Sequence, residues 1–316
     1  MTAARREGPA VRIDVDFRAG LLRAVPFFLD ALGASGMHAT FFVVTGSNRP
    51  ASILRRLGRK GYLRRLRRLG VARTLFSLRP GPFSSGSMRL ESASSARVLR
   101  RIVAEGHELA VHGYDHAWWA DHVWDSDEPE LAGEVERAFA TMERVTGRSG
   151  FGWGSPNWRT TETVLRLLHA RAVPYFSDCW GIAPFLTADE AGSVVPTIHL
   201  PITLPSLEGS MLERRIDGPA AIAAVFEPPA PRPFDVICFH DYYEGLARRE
   251  LFTGFLNECR RRRLRTITLA DAARRLQPEL ERLPVHRLAR GPLPGFTGEV
   301  SWQGPIESRA TRRSLP

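Results

Sequence analysis

Val11, Ile13 and Val15 alternate with Arg12, Asp14 and Asp16, a period of two that predicts a strand with one apolar and one polar face. The stretch Leu21 to Gly33 reads as a helix, so the chain opens on a β-α unit. Further strand-like runs are His38 to Thr45, Glu108 to His112, Gly150 to Trp153, Pro174 to Asp178, Thr197 to Ile202, Asp235 to His240 and Thr266 to Leu269. Helix-like stretches lie between several of them, at Ser94 to Glu105, Glu130 to Thr146, Thr160 to Arg171 and Glu250 to Arg263. In the second of these Leu131, Val135, Phe139 and Met142 recur at helical spacing, which puts Glu130, Glu134 and Arg137 on the solvent side. Roughly seven strands alternating with helices predict a parallel α/β sheet or barrel.

Two segments break the alternation. Between Arg49 and Arg79 there are eleven basic residues, and no Asp or Glu occurs between Asp30 and Glu91. Tyr62, Leu66 and Leu69 stand at i, i+4 and i+7, with Arg64, Arg65, Arg67 and Arg68 on the remaining faces. This spacing predicts a basic amphipathic helix, carried by an insertion over 47–93 that follows the second strand. From Gln277 onward Pro278, Pro284, Pro292, Pro294 and Pro305 are mixed with many Arg and show no periodicity, so 277–316 is expected to be linker or disordered. The chain thus divides into an N-terminal extension (1–10), a folded unit (11–276) and this tail.

Composition narrows the class. In a chain of 316 residues, 43% hydrophobic and 9% aromatic content suffices for a substantial core and excludes a mostly disordered chain. The net charge of +10 is carried almost wholly by arginine, Lys60 being the sole lysine, and suggests a polyanionic partner. Cys179, Cys238 and Cys259 form no CxxC pair, so a reducing compartment is expected. No apolar run long enough for a signal peptide core follows the basic N-terminus, and no span of 18 apolar residues occurs, so neither secretion nor membrane spanning is expected.

The candidate chemistry gathers at strand ends. Asp14 and Asp16 share one face of the first strand, about 7 Å apart by the strand rise, at the end where parallel α/β folds place their sites. The run His107 to His116 ends a strand in His112 and sets His116 four residues on. Two imidazoles and a carboxylate make a three-ligand site for a divalent ion and leave positions for water or substrate oxygen. Zn suits that donor set, as do Co, Mn, Ni and Fe. His240 ends the apolar strand Asp235 to His240 and could serve as a general acid near neutral pH. Arg159 could hold a carboxylate base ionised, with Asp178 clamping the arginine in turn.

These residues, in this order, resemble the polysaccharide deacetylase family, also called NodB-homology proteins, over about Val11 to Leu276. The counterparts are an acidic first motif (Arg12-Ile-Asp-Val-Asp16), the His-x3-His second motif, Trp158-Arg159, Asp178-Cys-Trp180 and the strand-end His240. The resemblance implies a distorted (β/α)7-type barrel with Asp14 as general base, Asp16, His112 and His116 as metal ligands and His240 as general acid. Because Arg12-Ile-Asp-Val-Asp16 sets one residue between its aspartates, an exchange of roles between Asp14 and Asp16 stays open. Trp158, Trp180 and Tyr242 are candidates to touch the sugar.

The first motif, Ser177-Asp-Cys-Trp-Gly181 and Leu200-Pro-Ile-Thr-Leu-Pro205 are similar to a subgroup of deformylases acting on undecaprenyl phosphate-linked 4-deoxy-4-formamido-L-arabinose. That implies a lipid-linked amino-sugar substrate and a cytoplasmic enzyme on the inner membrane face. There Arg55, Arg56, Arg64, Arg65 and Arg68 would meet anionic lipids and Tyr62, Leu66 and Leu69 the acyl region. Nucleic acid is not the expected polyanion, since no recognised motif accompanies the arginines. Two alternatives stand beside this reading: a deacetylase of another amino sugar, and a catalytically inactive carbohydrate- or lipid-binding protein on the same scaffold.

Overall fold

A computed structural model describes residues 6–48, 86–227, 234–296, 298–306 and 313–314. The expected amphipathic helix, with Arg55, Arg56, Tyr62, Arg64, Arg65, Leu66, Arg68 and Leu69, lies outside the described residues.

In chain order the first elements are β1 (Arg6–Val15), α1 (Arg18–Ser35), β2 (Thr40–Val43), α2 (Ala93–Ala104), β3 (Glu108–Val111), α3 (His116–His122) and α4 (Glu128–Thr146). They are followed by α5 (Glu162–Ala170), β4 (Tyr175–Phe176), β5 (Phe185–Ala188), β6 (Ser193–His199), α6 (Leu207–Glu213) and α7 (Gly218–Phe226). The chain continues through β7 (Val236–His240), α8 (Arg249–Arg261), β8 (Leu264–Ile267), α9 (Leu269–Leu276), β9 (Val285–Pro292) and β10 (Glu299–Ile306).

The parallel order β3-β2-β1-β7 forms the heart of the molecule, with β8 also pairing β1. Asp14 sits opposite Phe42 on one side and His240 on the other, so three strand ends are level with one another. The sheet then curls. Trp153 bridges Val111 to Phe176, β4 pairs β6 in parallel, and the N–H groups of Thr203 and Leu204 bond to Val236 O on β7. The strands therefore close into a distorted barrel, as expected from the sequence. Where Gly150 to Trp153 reads as a strand, only Trp153 makes a sheet bridge; the close packing of Gly152 against Tyr175 leaves no room for a side chain there.

The alternation in β1 separates two packing layers. Val11, Ile13 and Val15 face outward and pack with Leu21, Val25, Phe28 and Leu29 of α1. The opposite face of β1 looks into the barrel, where Phe42, Ala110, Tyr175, Ile198 and Cys238 form a second core. Arg12 is fully buried on that inner face, its guanidinium 4.5 Å from the Phe42 ring centroid. Burial of an arginine is tolerated only with charge pairing and satisfied donors, which directs attention to Asp14.

Two expectations are corrected. Glu134 does not face solvent: it is 4% exposed, accepts the Asp115 N–H at 3.2 Å and pairs with Arg137. The tail is not a structureless linker over its described part. Gln277–Arg282 forms a 3-10 turn, and β9 and β10 pair as an antiparallel hairpin. The hairpin joins β5 through β9, in a second sheet that also contains β6. Val285 and Val300 are buried and Trp302 packs against Trp180 with ring centroids 6.2 Å apart.

Candidate metal centre and active site

Asp14 lies at the end of β1 and Asp16 just past it, His112 follows β3, and the Asp115 carboxylate caps α3 by accepting the N–H groups of Ala117 and Trp118. The cap starts the helix at His116, which turns that ring back toward His112; the two ring centroids are 5.5 Å apart. Asp16 Oδ1 lies 3.4 Å from His112 Nε2 and 3.5 Å from His116 Nε2. A tetrahedral ion with bonds of about 2.1 Å needs ligand atoms roughly 3.4 Å apart, so the spacing fits.

Two further observations support a metal here. Asp16 Oδ1 is buried without a hydrogen-bond partner, a costly state for a carboxylate oxygen unless a cation meets it. His112 Nδ1 donates to Gly154 O at 2.6 Å, which fixes the tautomer and aims the Nε2 lone pair at Asp16, the usual support of a metal-bound histidine. Burial would raise the Asp16 carboxyl, but His116 and His112 outweigh it and hold it below the ordinary range.

Asp14 is set apart from this triad by its partner. Arg12 Nε and Nη2 donate to its two oxygens at 2.6 and 2.9 Å, and Arg12 Nη1 donates to Ser177 O. Burial pushes the Asp14 carboxyl up, and the Arg12 and His112 charges more than reverse that, so it stays ionised. The Cys238 thiol, 3.6 Å away, donates to Asp14 Oδ2, and burial keeps that thiol protonated. The arginine that holds the carboxylate is therefore Arg12.

Arg159 lies elsewhere. Its guanidinium donates to Glu299 O and Ala120 O and stacks at 4.5 Å on Trp124. Asp178 is fully buried and accepts the Ser155 N–H at 2.6 Å; burial pushes its carboxyl up to about 7, against the pull of that hydrogen bond and of Arg12. It braces the loop whose Gly154 carbonyl orients His112. Neither Arg159 nor Asp178 lines the cleft.

Sequence reasoning missed Arg12 because a polar residue on an alternating strand reads as solvent-facing. The available signal was position: in a parallel barrel both strand faces are covered, so a charged residue two before a strand-end aspartate faces that aspartate rather than water.

The cleft encloses about 520 Å³, solvent at its mouth included. Asp14, Asp16, His112, His116 and His240 form its floor. Trp158 and Tyr242 form part of its walls, while Trp180 lies one layer behind, edge-on to Trp158 at 5.4 Å. Asn157 and Trp158 both have positive φ, 55° and 51°, a backbone state that β-carbon residues adopt at a cost. It turns the indole edge-on to His240, with ring centroids 5.7 Å apart. The His240 Nδ1 is buried without a hydrogen-bond partner, while its backbone N–H binds Glu244 Oε2 at 2.9 Å.

The family model for polysaccharide deacetylases matches residues 15–175. A protein of Shewanella sediminis, named a probable 4-deoxy-4-formamido-L-arabinose-phosphoundecaprenol deformylase, is 24% identical over 269 residues, covering 83% of this chain and 84% of its own. One of the same name from Wigglesworthia glossinidia brevipalpis is 22% identical and covers 91% and 99%. A crystal structure of a probable polysaccharide deacetylase from Pseudomonas aeruginosa PAO1 shares the fold, with a TM-score of 0.56 at 17% identity, covering 87% of this chain and 92% of the other.

Proposed function

The chain belongs to the polysaccharide deacetylase family, and from that premise we propose that it removes an N-formyl group from a lipid-phosphate-linked amino sugar such as undecaprenyl phosphate 4-deoxy-4-formamido-L-arabinose. At the coarser level it is a hydrolase of amide C–N bonds and an amino-sugar deformylase or deacetylase. The observation that carries the reading is the juxtaposition of a buried Asp16–His112–His116 triad with an ionised Asp14 and a strand-end His240 in one cleft. The names of the Shewanella and Wigglesworthia relatives support the formyl group and the lipid-linked sugar.

Asp16, His112 and His116 would hold one divalent ion, Zn being the first choice for two imidazoles and a carboxylate. Such an ion supplies Lewis acidity toward the amide carbonyl and lowers the pKa of water. The remaining work falls to the chain. Asp14, kept ionised by Arg12, takes the proton of the attacking water as general base. His240, on the adjacent strand end, gives a proton to the departing nitrogen, without which an amide nitrogen is a poor leaving group. Trp158 and Tyr242 flank the His240 ring, with centroids 5.7 and 5.3 Å away. The Arg12 pairing supports Asp14 as base and Asp16 as ligand, since both Asp14 oxygens bond to the guanidinium while Asp16 Oδ1 has no hydrogen-bond partner and lies near both histidines.

Among the described residues no helix is long and apolar enough to cross a membrane. The arginine-rich stretch from Arg49 to Arg79 supports peripheral docking on the anionic inner face of the cytoplasmic membrane. Release of formate from the lipid-linked formamido sugar, compared with release of acetate from its N-acetyl counterpart, tests the reading. Formate alone supports a deformylase; acetate alone moves the protein to the deacetylases; neither product contradicts hydrolysis of this sugar.

A further inference from the structure

The wall of the cleft opposite the catalytic floor comes from two segments with no counterpart among the motifs: the first turn of α6 and the loop of the β9–β10 hairpin. Ser206, Glu208 and Gly209 come from the first, and Leu293, Pro294 and Phe296 from the second. The two are pressed together. A Cβ on Gly295, whose φ is +76°, would meet Gly209 O at 3.0 Å, so backbone rests on backbone there. Phe296 in turn packs edge-on to Trp158, with centroids 5.5 Å apart.

Among the described residues of this wall Glu208 carries the one charged side chain. It is 4% exposed, lines the cleft, and accepts a hydrogen bond from the Tyr242 hydroxyl at 3.2 Å. Tyr242 itself lies against His240, with ring centroids 5.3 Å apart. A carboxylate and a phenol thus stand side by side, the phenol ring against the proposed proton donor His240. Among the described lining residues there is no Lys or Arg, since Arg12 sits behind Asp14. A buried carboxylate repels a phosphate and accepts strongly from hydroxyl groups.

We propose that Glu208, held by Tyr242, is a specificity-determining residue that accepts hydrogen bonds from the ring hydroxyls of the sugar and so turns the N-acyl group toward Asp14 and His240. The cleft then takes a single neutral, hydroxyl-bearing sugar ring and leaves any phosphate at its mouth. This rests on the amino-sugar reading above and adds to it the group that orients the ring. It also gives the hairpin a task, because Pro294 and Gly295 hold the α6 turn in place.

The test uses the full-length, metal-loaded protein and two soluble substrates, methyl 4-deoxy-4-formamido-arabinopyranoside and its 2,3-dideoxy analogue. Hydrogen bonds to a charged acceptor lead us to expect a preference of about ten- to hundredfold in kcat/KM for the hydroxylated sugar. Glu208→Ala should erase that preference, mainly through KM, with Glu208→Gln and Tyr242→Phe losing part of it. A preference unchanged in Glu208→Ala overturns the proposal. Should Glu208→Ala fail to fold, the Glu208→Gln and Tyr242→Phe variants carry the same comparison. Binding of methyl arabinopyranoside, which carries no acyl group, is measured by calorimetry in parallel. If the wild type releases no formate yet binds this sugar and Glu208→Gln weakens binding, the deformylase reading fails and the Glu208 assignment stands. Binding unaffected by Glu208→Gln rejects the assignment whatever the turnover.

Discussion

Arg12 sets the two aspartates of β1 apart, pairing with Asp14 and leaving Asp16 to the two histidines. A buried ion pair does not by itself stabilise a fold strongly, because both charges lose water. What it does here is orient: two parallel N–H···O bonds leave the Asp14 carboxylate one geometry and keep it ionised. Replacing Asp14 by Asn removes the proposed proton acceptor and leaves the buried Arg12 guanidinium without its counter-charge, so kcat should fall by about 10²- to 10⁴-fold and stability by about 3–5 kcal/mol; steady-state kinetics and denaturant titration check both halves. Gly154 is the second sensitive residue. A Cβ there would stand 2.8 Å from Arg12 Nη1 and from the Phe42 ring. Gly154→Ala should therefore cost about 1–3 kcal/mol of stability by overpacking and disturb the Gly154 carbonyl that orients His112, seen as a lower melting temperature together with weaker metal binding.

At the scale of elements, the period-two pattern made β1 legible and placed Asp14 and Asp16 on a common face, and the apolar runs placed β3 and β7 with His112 and His240 at their ends. The pattern could not say that the polar face of β1 looks into a barrel, because periodicity distinguishes two faces and not what covers them. Arg12 was hidden for that reason, and Glu134 likewise, since its burial comes from a backbone N–H at the start of α3 that no local pattern encodes. The tail was misread because Arg and Pro content imitates disorder. Its hairpin is an edge structure with mixed burial, in which Val300 and Ser301 are buried and neighbours are exposed. Pro294-Gly295 was a turn signal between two strand-length runs that could have revealed it. Gly295→Val would force the loop off the α6 turn and should raise KM for the sugar at least severalfold, with the hairpin still formed by hydrogen exchange; an unchanged KM would show that the loop does not support the wall.

For the whole molecule, burial makes stability depend on pH in two opposed ways. The His199 ring, stacked on Phe185, is held neutral by burial and pushed down to about 3 from 6.5. The unfolded chain therefore binds a proton there that the fold refuses, so this contribution is complete above about pH 6.5 and is lost as pH falls toward 3, at about 1.4 kcal/mol per pH unit. Glu244, pushed up to about 8 by burial, acts in reverse: its contribution is full below about pH 4.5 and is lost as pH rises through 8. Denaturant titrations from pH 4 to 8 should show that His199→Gln flattens the acid limb and Glu244→Gln the alkaline one. A limb that keeps its slope in the corresponding variant would remove that residue as its cause.

The barrel, the hairpin and the buried triad converge on one claim, that the chain hydrolyses an amide with a metal held by Asp16, His112 and His116. Its most direct measurement is formate release from the lipid-linked formamido sugar by chelated protein to which Zn is returned in steps, alongside His112→Ala. The account predicts activity that is absent in the chelated protein, recovers linearly to a plateau at about one equivalent of metal per chain, and does not recover in His112→Ala. Full activity in the chelated protein, or in His112→Ala, would contradict it.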